Sequence, residues 1–162
     1  MLGGTLTLLC SVLVPSLVRL DYEVRSWREA VYAGGRLLLE NGVCDERYVQ
    51  AMLSLAERFT AHIVVGSGIA MPHARPEDGA SRPAIGLIRL KWPITFPGKE
   101  GEPVDLVIPL AATRNDEHVD LMAELAAALS DSEFVSGLRR AGTVDDVIQG
   151  FKRAAVCSKP KL

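Results

Sequence analysis

Short β-branched runs set among amphipathic helical segments limit most strongly the folds open to this chain. Ile63-Val64-Val65, residues 84–90 and Val104-Asp105-Leu106-Val107-Ile108-Pro109-Leu110 read as strands. Helical segments stand before, among and after them, which indicates an α/β fold in three layers. Pro109 has no N–H for a ladder, so it must sit at an edge or near a strand end. At 162 residues the chain is long enough for one such domain with a full core and too short for two.

The helices announce their own ends. Ser26-Trp27-Arg28-Glu29 fits a capping box, and Trp27, Ala30, Val31, Gly34, Leu37 and Leu38 follow at helical spacing until Asn41-Gly42 closes the run. A second helix is expected from Asp45, with Tyr48, Ala51, Met52, Leu55 and Phe59 on one face. Residues 117–129 and 132–140 predict two more, the first capped by Asn115 or Asp116. Thr143 opens the last, with Asp145 and Asp146 placed favourably against the helix dipole. Residues 93–103 hold three prolines and two glycines and read as a turn-rich connection, with a short edge strand at residues 94–96.

Residues 2–18 are uncharged and apolar. No Lys or Arg precedes Arg19, which argues against a signal peptide, and Thr5, Thr7, Ser11, Pro15 and Ser16 interrupt a run already short for a membrane span. A cytosolic segment partly packed on the domain is the preferred reading, and a membrane anchor the lesser one. The expected organisation is an apolar extension over residues 1–12, a single domain over 13–152 and a tail over 153–162. Cys10, Cys44 and Cys157 form no C-x-x-C pair, which suits buried thiols in a reducing cytoplasm. With 18 Lys+Arg against 20 Asp+Glu, scattered and without interleaved aromatics, nucleic acid is not an expected partner.

Chemistry concentrates in Gly68-Ile69-Ala70-Met71-Pro72-His73-Ala74-Arg75. Proline fixes its own φ and drives Met71 into an extended conformation, so His73 is delivered from a stiffened loop with Arg75 and Arg82 nearby. An imidazole presented beside guanidinium groups suits nucleophilic capture of an anion, phosphate first among candidates. His118 follows Thr113-Arg114-Asn115-Asp116-Glu117, where a strand ends and a helix begins. Strand carboxyl ends are where open α/β sheets place their sites, so His73 and His118 can meet in one cleft. A helix N-terminus there also favours a phosphoryl anion. His62 lacks such framing and reads as structural. There is no H-E-x-x-H, no His-x-His and no paired cysteine for a metal, and Gly66-Ser67-Gly68 is not a nucleophile elbow. No phosphate-binding P-loop or dinucleotide fingerprint is present either.

With these residues in view, the chain resembles the IIA component (EIIA) of the bacterial sugar phosphotransferase system (PTS), of the mannitol/fructose type, over residues 18–151. Gly68-Ile69-Ala70-Met71-Pro72-His73 is similar to the family's G-[IVL]-A-[IVM]-P-H motif. Tyr48-Val49-Gln50-Ala51-Met52-Leu53, Arg114-Asn115-Asp116-Glu117-His118 and Gly142-Thr143-Val144-Asp145-Asp146-Val147 support it. His73-Ala74-Arg75-Pro76-Glu77-Asp78-Gly79 is most similar to the ascorbate-specific branch. The family often has an arginine where Ser54 follows Met52-Leu53, and Arg58 is not assigned that role.

The resemblance implies a mixed central β-sheet flanked by helices on both faces. His73 is then the phosphohistidine, with His118 orienting the phosphoryl group and Arg75 or Arg114 offsetting its charge. Phospho-HPr is the implied donor and a cysteine of the cognate EIIB the acceptor, with EIIC in the membrane. No cofactor and no metal are implied, and the sequence leaves open whether two copies pair. Ile69 and Met71 are expected in a docking surface around the loop. A regulatory EIIA-like module, whose phosphorylation on His73 controls another protein, uses the same residues and stands as the alternative.

Overall fold

In the computed structural model, which describes residues 8–157, the strand-like runs assemble as two sheets. β1 (Val18–Tyr22), β2 (Val64–Val65), β3 (Ile69–Ala70), β5 (Leu87–Ile94) and β6 (Val104–Val107) form a five-stranded sheet of order β1-β5-β6-β3-β2. The β1–β5 and β3–β6 pairs are parallel, whereas β5–β6 and β2–β3 are antiparallel, so the sheet is mixed. β4 (Ala84–Ile85) pairs with β7 (Leu110–Ala111) in a separate antiparallel ribbon.

The run expected as one strand over residues 84–90 is thus two strands broken at Gly86, and residues 104–110 break opposite it at Pro109. Gly86 N–H donates to Pro109 O at 2.8 Å across the joint. Proline cannot return a ladder bond, so the paired chains pass here from one sheet into the other. β5 runs on to Ile94, taking in the start of the expected edge strand, and Phe96 is buried against Trp27.

The helices are α1 (Leu8–Val12), α2 (Trp27–Glu40), α3 (Glu46–Arg58), α4 (Thr60–Ile63), α5 (Asn115–Leu129), α6 (Ser132–Arg140) and α7 (Val144–Cys157). α2 packs with α3, and α1, α5, α6 and α7 form a second group, so helices flank the sheet on both faces. Their caps follow local chemistry. Ser26 Oγ accepts from Glu29 N–H at 3.1 Å, while the Glu29 carboxylate reaches Arg25 N–H rather than that of Ser26. Asp45 accepts from Arg47 and Tyr48 N–H, and Thr143 Oγ1 from Asp146 N–H.

Three local expectations change. Ile63 closes α4 instead of opening β2, because the Thr60 hydroxyl bonds Ala56 O and helical turns carry on past α3. α5 starts at Asn115, with Arg114 as N-cap and no side-chain cap bond; Glu117 instead reaches back to Thr113 N–H and Oγ1 at 2.8 and 2.9 Å. β1 was not expected: of Val18–Tyr22 the sequence reading placed only Val18, as the last residue of the apolar run.

Residues 1–7 of the expected extension and 158–162 of the expected tail lie outside the described residues. Leu8–Val12, also placed in that extension, form α1 on α7 and α5, with Leu9, Val12 and Leu13 buried. Among the described residues no helix is long and apolar enough to cross a membrane. Cys44 is buried, and burial followed by Asp45 and Glu46 pushes its thiol up to about 11.

Candidate functional site

The loop bearing His73 is fixed before the histidine is reached. Gly66 and Gly68 turn the β2–β3 hairpin with positive φ, and Gly68 O accepts from both Asp105 and Leu106 N–H. Arg139 of α6 grips the turn: its guanidinium pairs with both oxygens of Asp105 at 2.9 Å and donates to Ser67 O. β3 then pairs with β6, Met71 N–H donates to Ile63 O, and Pro72 O accepts from Leu110 N–H at 3.2 Å.

The half-buried His73 ring turns Nδ1 back onto Met71 O at 2.7 Å. A carbonyl can only accept, so Nδ1 carries a proton, and in the neutral ring Nε2 is the nitrogen with the free lone pair. On the far side, Ala74 N–H donates to the hydroxyl of Tyr48, which donates in turn to Leu110 O at 2.7 Å.

His118 stands in the first turn of α5, its ring centroid 5.3 Å from that of His73 and the planes 50° apart. The two imidazoles the sequence singled out therefore meet. Burial, and then the neighbouring His73, hold His118 below the usual histidine range, so it is neutral near pH 7. Its Nδ1 is buried without a hydrogen-bond partner among the described residues. A proton there would be a buried, unpaired N–H, which favours the tautomer carrying it on Nε2.

The model of the phosphoenolpyruvate-dependent sugar phosphotransferase system EIIA 2 family matches residues 11–154. The chain belongs to this family. The ascorbate-specific PTS system EIIA component of Escherichia coli K12 is 35% identical over 137 residues, covering 84% of this chain and 89% of that one. The solution structure of the mannitol-specific cryptic phosphotransferase enzyme IIA from Escherichia coli superposes with a TM-score of 0.80 at 28% identity, over 90% of this chain and 98% of that one. The IIA of the Escherichia coli complex of IIA and phosphorylated IIB for mannitol gives 0.78 at 26%, over 87% and 97%. The motif resemblance and the fold it implied hold, and the protein is an EIIA phosphotransferase of a sugar PTS.

In this EIIA the two candidate arginines turn to their own acidic neighbours rather than to the imidazoles. Arg75, 70% exposed, bonds Asp78 through its amide at 3.0 Å and its Nε at 3.4 Å. Arg114, 65% exposed, pairs with Asp116 at 3.1 Å and lies 3.8 Å from Glu117. Arg82 donates to Asn41 O, and Arg58 lies over the Phe59 ring. Among the described residues no group of three His, Cys, Asp or Glu is placed to hold a metal ion.

Ile69 and Met71 are buried rather than displayed, yet both line an apolar groove of ≈ 520 Å³ together with Val65, Met122, Leu129 and Val135. Val119, which follows His118 in α5, is a large apolar side chain left 63% exposed. The sequence reading missed Tyr48, Asp105 and Arg139 as supports of the site. Tyr48 lay in the family-like segment of α3, but nothing in the sequence says where its hydroxyl ends.

Proposed function

We propose that His73 is the phosphorylated residue and that the phosphoryl group enters and leaves through its Nε2. The observation that carries this is the Met71 O–His73 Nδ1 bond, which in the neutral ring places the proton on Nδ1 and turns the Nε2 lone pair out beside His118 for attack. One P–N bond forms on His73 as the P–N bond of a donor phosphohistidine, that of phospho-HPr, breaks. A cysteine thiolate of the cognate EIIB then attacks phosphorus, forming P–S as the His73 P–N bond breaks. Phosphoryl transfer asks mainly for in-line placement and charge stabilisation.

His118 serves the second need by donating Nε2–H to a phosphoryl oxygen, aided by the N-terminus of α5. Arg75 and Arg114 can contribute only by leaving their carboxylate partners when a phosphoryl group or a partner protein arrives. Val119 and the groove beside Met71 offer apolar contact to a docked partner. The likeness to ascorbate-specific relatives supports a sugar acid as the cargo, taken up through a membrane EIIC with this component acting in the cytoplasm.

The test mixes the protein with HPr, the first enzyme of the system and phosphoenolpyruvate, and weighs the product. An acid-labile gain of about 80 Da is expected in the wild type and not in His73→Ala, the lability being that of a P–N bond. A gain that persists in His73→Ala refutes the assignment. Phosphorylation with no onward transfer to any EIIB points instead to the regulatory module.

A further inference from the structure

We infer that Tyr48 is a positioning residue for phosphoryl transfer, its hydroxyl holding the two histidine-bearing segments in one fixed relation. This rests on the reading of His73 as the phosphorylated residue. Tyr48 is fully buried, and its hydroxyl joins two main-chain groups far apart in sequence. It accepts from Ala74 N–H at 3.1 Å and donates to Leu110 O at 2.7 Å. The Ala74 O lies farther off, at 3.3 Å, and one phenolic proton cannot serve both carbonyls. Burial pushes the hydroxyl far above its ordinary ionisation range, so it remains a donor at every working pH.

What it joins sets its role. Ala74 follows His73 directly, whereas Leu110 opens β7, from which residues 112–114 lead into α5 and His118. On the other side of His73, Pro72 O takes Leu110 N–H. His73 therefore sits between two ties to the same residue, one through main chain and one through Tyr48. The helix bearing Tyr48 is itself anchored to this loop, because Asp45, its N-cap, donates its N–H to Gly79 O at 3.0 Å. The tyrosine thus spaces Ala74 from Leu110, and through them one ring from the other. Removal of the hydroxyl leaves the ring volume in place and frees the Ala74 side of the loop.

The test is Tyr48→Phe, with phosphoryl uptake from phospho-HPr measured on folded protein and the label mapped against His73→Ala. Positioning predicts a kcat lower by about tenfold or more at an unchanged KM for HPr. It also predicts ¹⁵N shifts of the His73 ring moving from the Nδ1–H form towards the mixture of free imidazole. A loss of thermal stability with kcat and ring shifts unchanged overturns the proposal while leaving His73 as the phosphorylated residue. Label mapping elsewhere in the wild type overturns both. Should Tyr48→Phe not fold, hydrogen exchange in the wild type decides: a slowly exchanging Ala74 amide supports the tie, and exchange at the unfolded-chain rate overturns it.

Discussion

Replacement of Gly68 by alanine asks how tightly the turn before His73 is built, and Gly66 provides its control. Both have positive φ, +58° at Gly66 and +78° at Gly68, where an L side chain costs about 1–2 kcal/mol. Their surroundings differ. A Cβ on Gly66 would meet nothing within 4 Å. On Gly68 it would lie 2.9 Å from Pro103 O and from an Arg139 guanidinium nitrogen, and 3.2 Å from Asp105. The carbonyl is main chain, and Asp105 is pinned by Arg139, so neither yields easily; forced overpacking of this kind adds about 1–3 kcal/mol. Gly68→Ala is therefore expected to lose roughly 2–5 kcal/mol and Gly66→Ala only about 1–2. Urea unfolding of both, with an unchanged m-value, measures the difference. Phosphoryl uptake should also slow in Gly68→Ala and not in Gly66→Ala, since β3 and its histidine shift with the turn. Equal losses in the two variants would refute the reasoning.

Two further outcomes follow from ionisable groups. Both Glu124 oxygens are buried and make no hydrogen bond of good geometry among the described residues; burial, partly offset by the nearby Leu9 N–H and reinforced by Asp120, pushes its carboxyl up to about 7 from 4.5. The fold then keeps a proton that the unfolded chain releases, so this group's stabilisation is whole below pH 4.5 and lost as pH rises to 7. Glu124→Gln should gain about 1 kcal/mol over wild type at pH 8, after allowance for solvent screening, and nothing at pH 4; chemical denaturation at the two values checks it, and a gain at both contradicts it. His118, held below the usual histidine range, works in the opposite direction: its contribution is present above pH 6.5 and falls as acid protonates it. His118→Gln should fold, lose less stability than wild type between pH 6.5 and 5, and pass phosphate to EIIB about 100- to 1,000-fold more slowly. Unchanged transfer would remove its role.

The fold was legible where chemistry is local. Ser26, Asp45 and Thr143 cap the helices they introduce, and Asn41-Gly42 closes α2, because a cap needs only residues within one turn. The meeting of His73 and His118 was also readable, since each follows a strand whose end lies at the same edge of the domain. Long-range pairing was not. β1 becomes a strand through its parallel ladder with β5, a partner far along the chain, and its own alternation is weak. The joint at Gly86 and Pro109 was half visible: proline marked a strand end, but only the facing chain shows that both strands break together. That Arg75 and Arg114 pair with nearby carboxylates was not readable, because their position in the chain does not say which charge each guanidinium meets. The grip of Arg139 on Asp105 and Ser67 spans residues with no local pattern linking them.

The packing of α1 on α7 has a consequence for synthesis. The Cys10 thiol meets Phe151 O, a contact closed across 141 positions of the chain. Leu9, Val12 and Leu13 emerge from the ribosome well before their cover in α7. At ordinary elongation rates that wait is about seven to thirty seconds. Throughout it this uncharged, apolar segment stands uncovered, a natural target for chaperones, and native packing of α1 can complete only once α7 has been made.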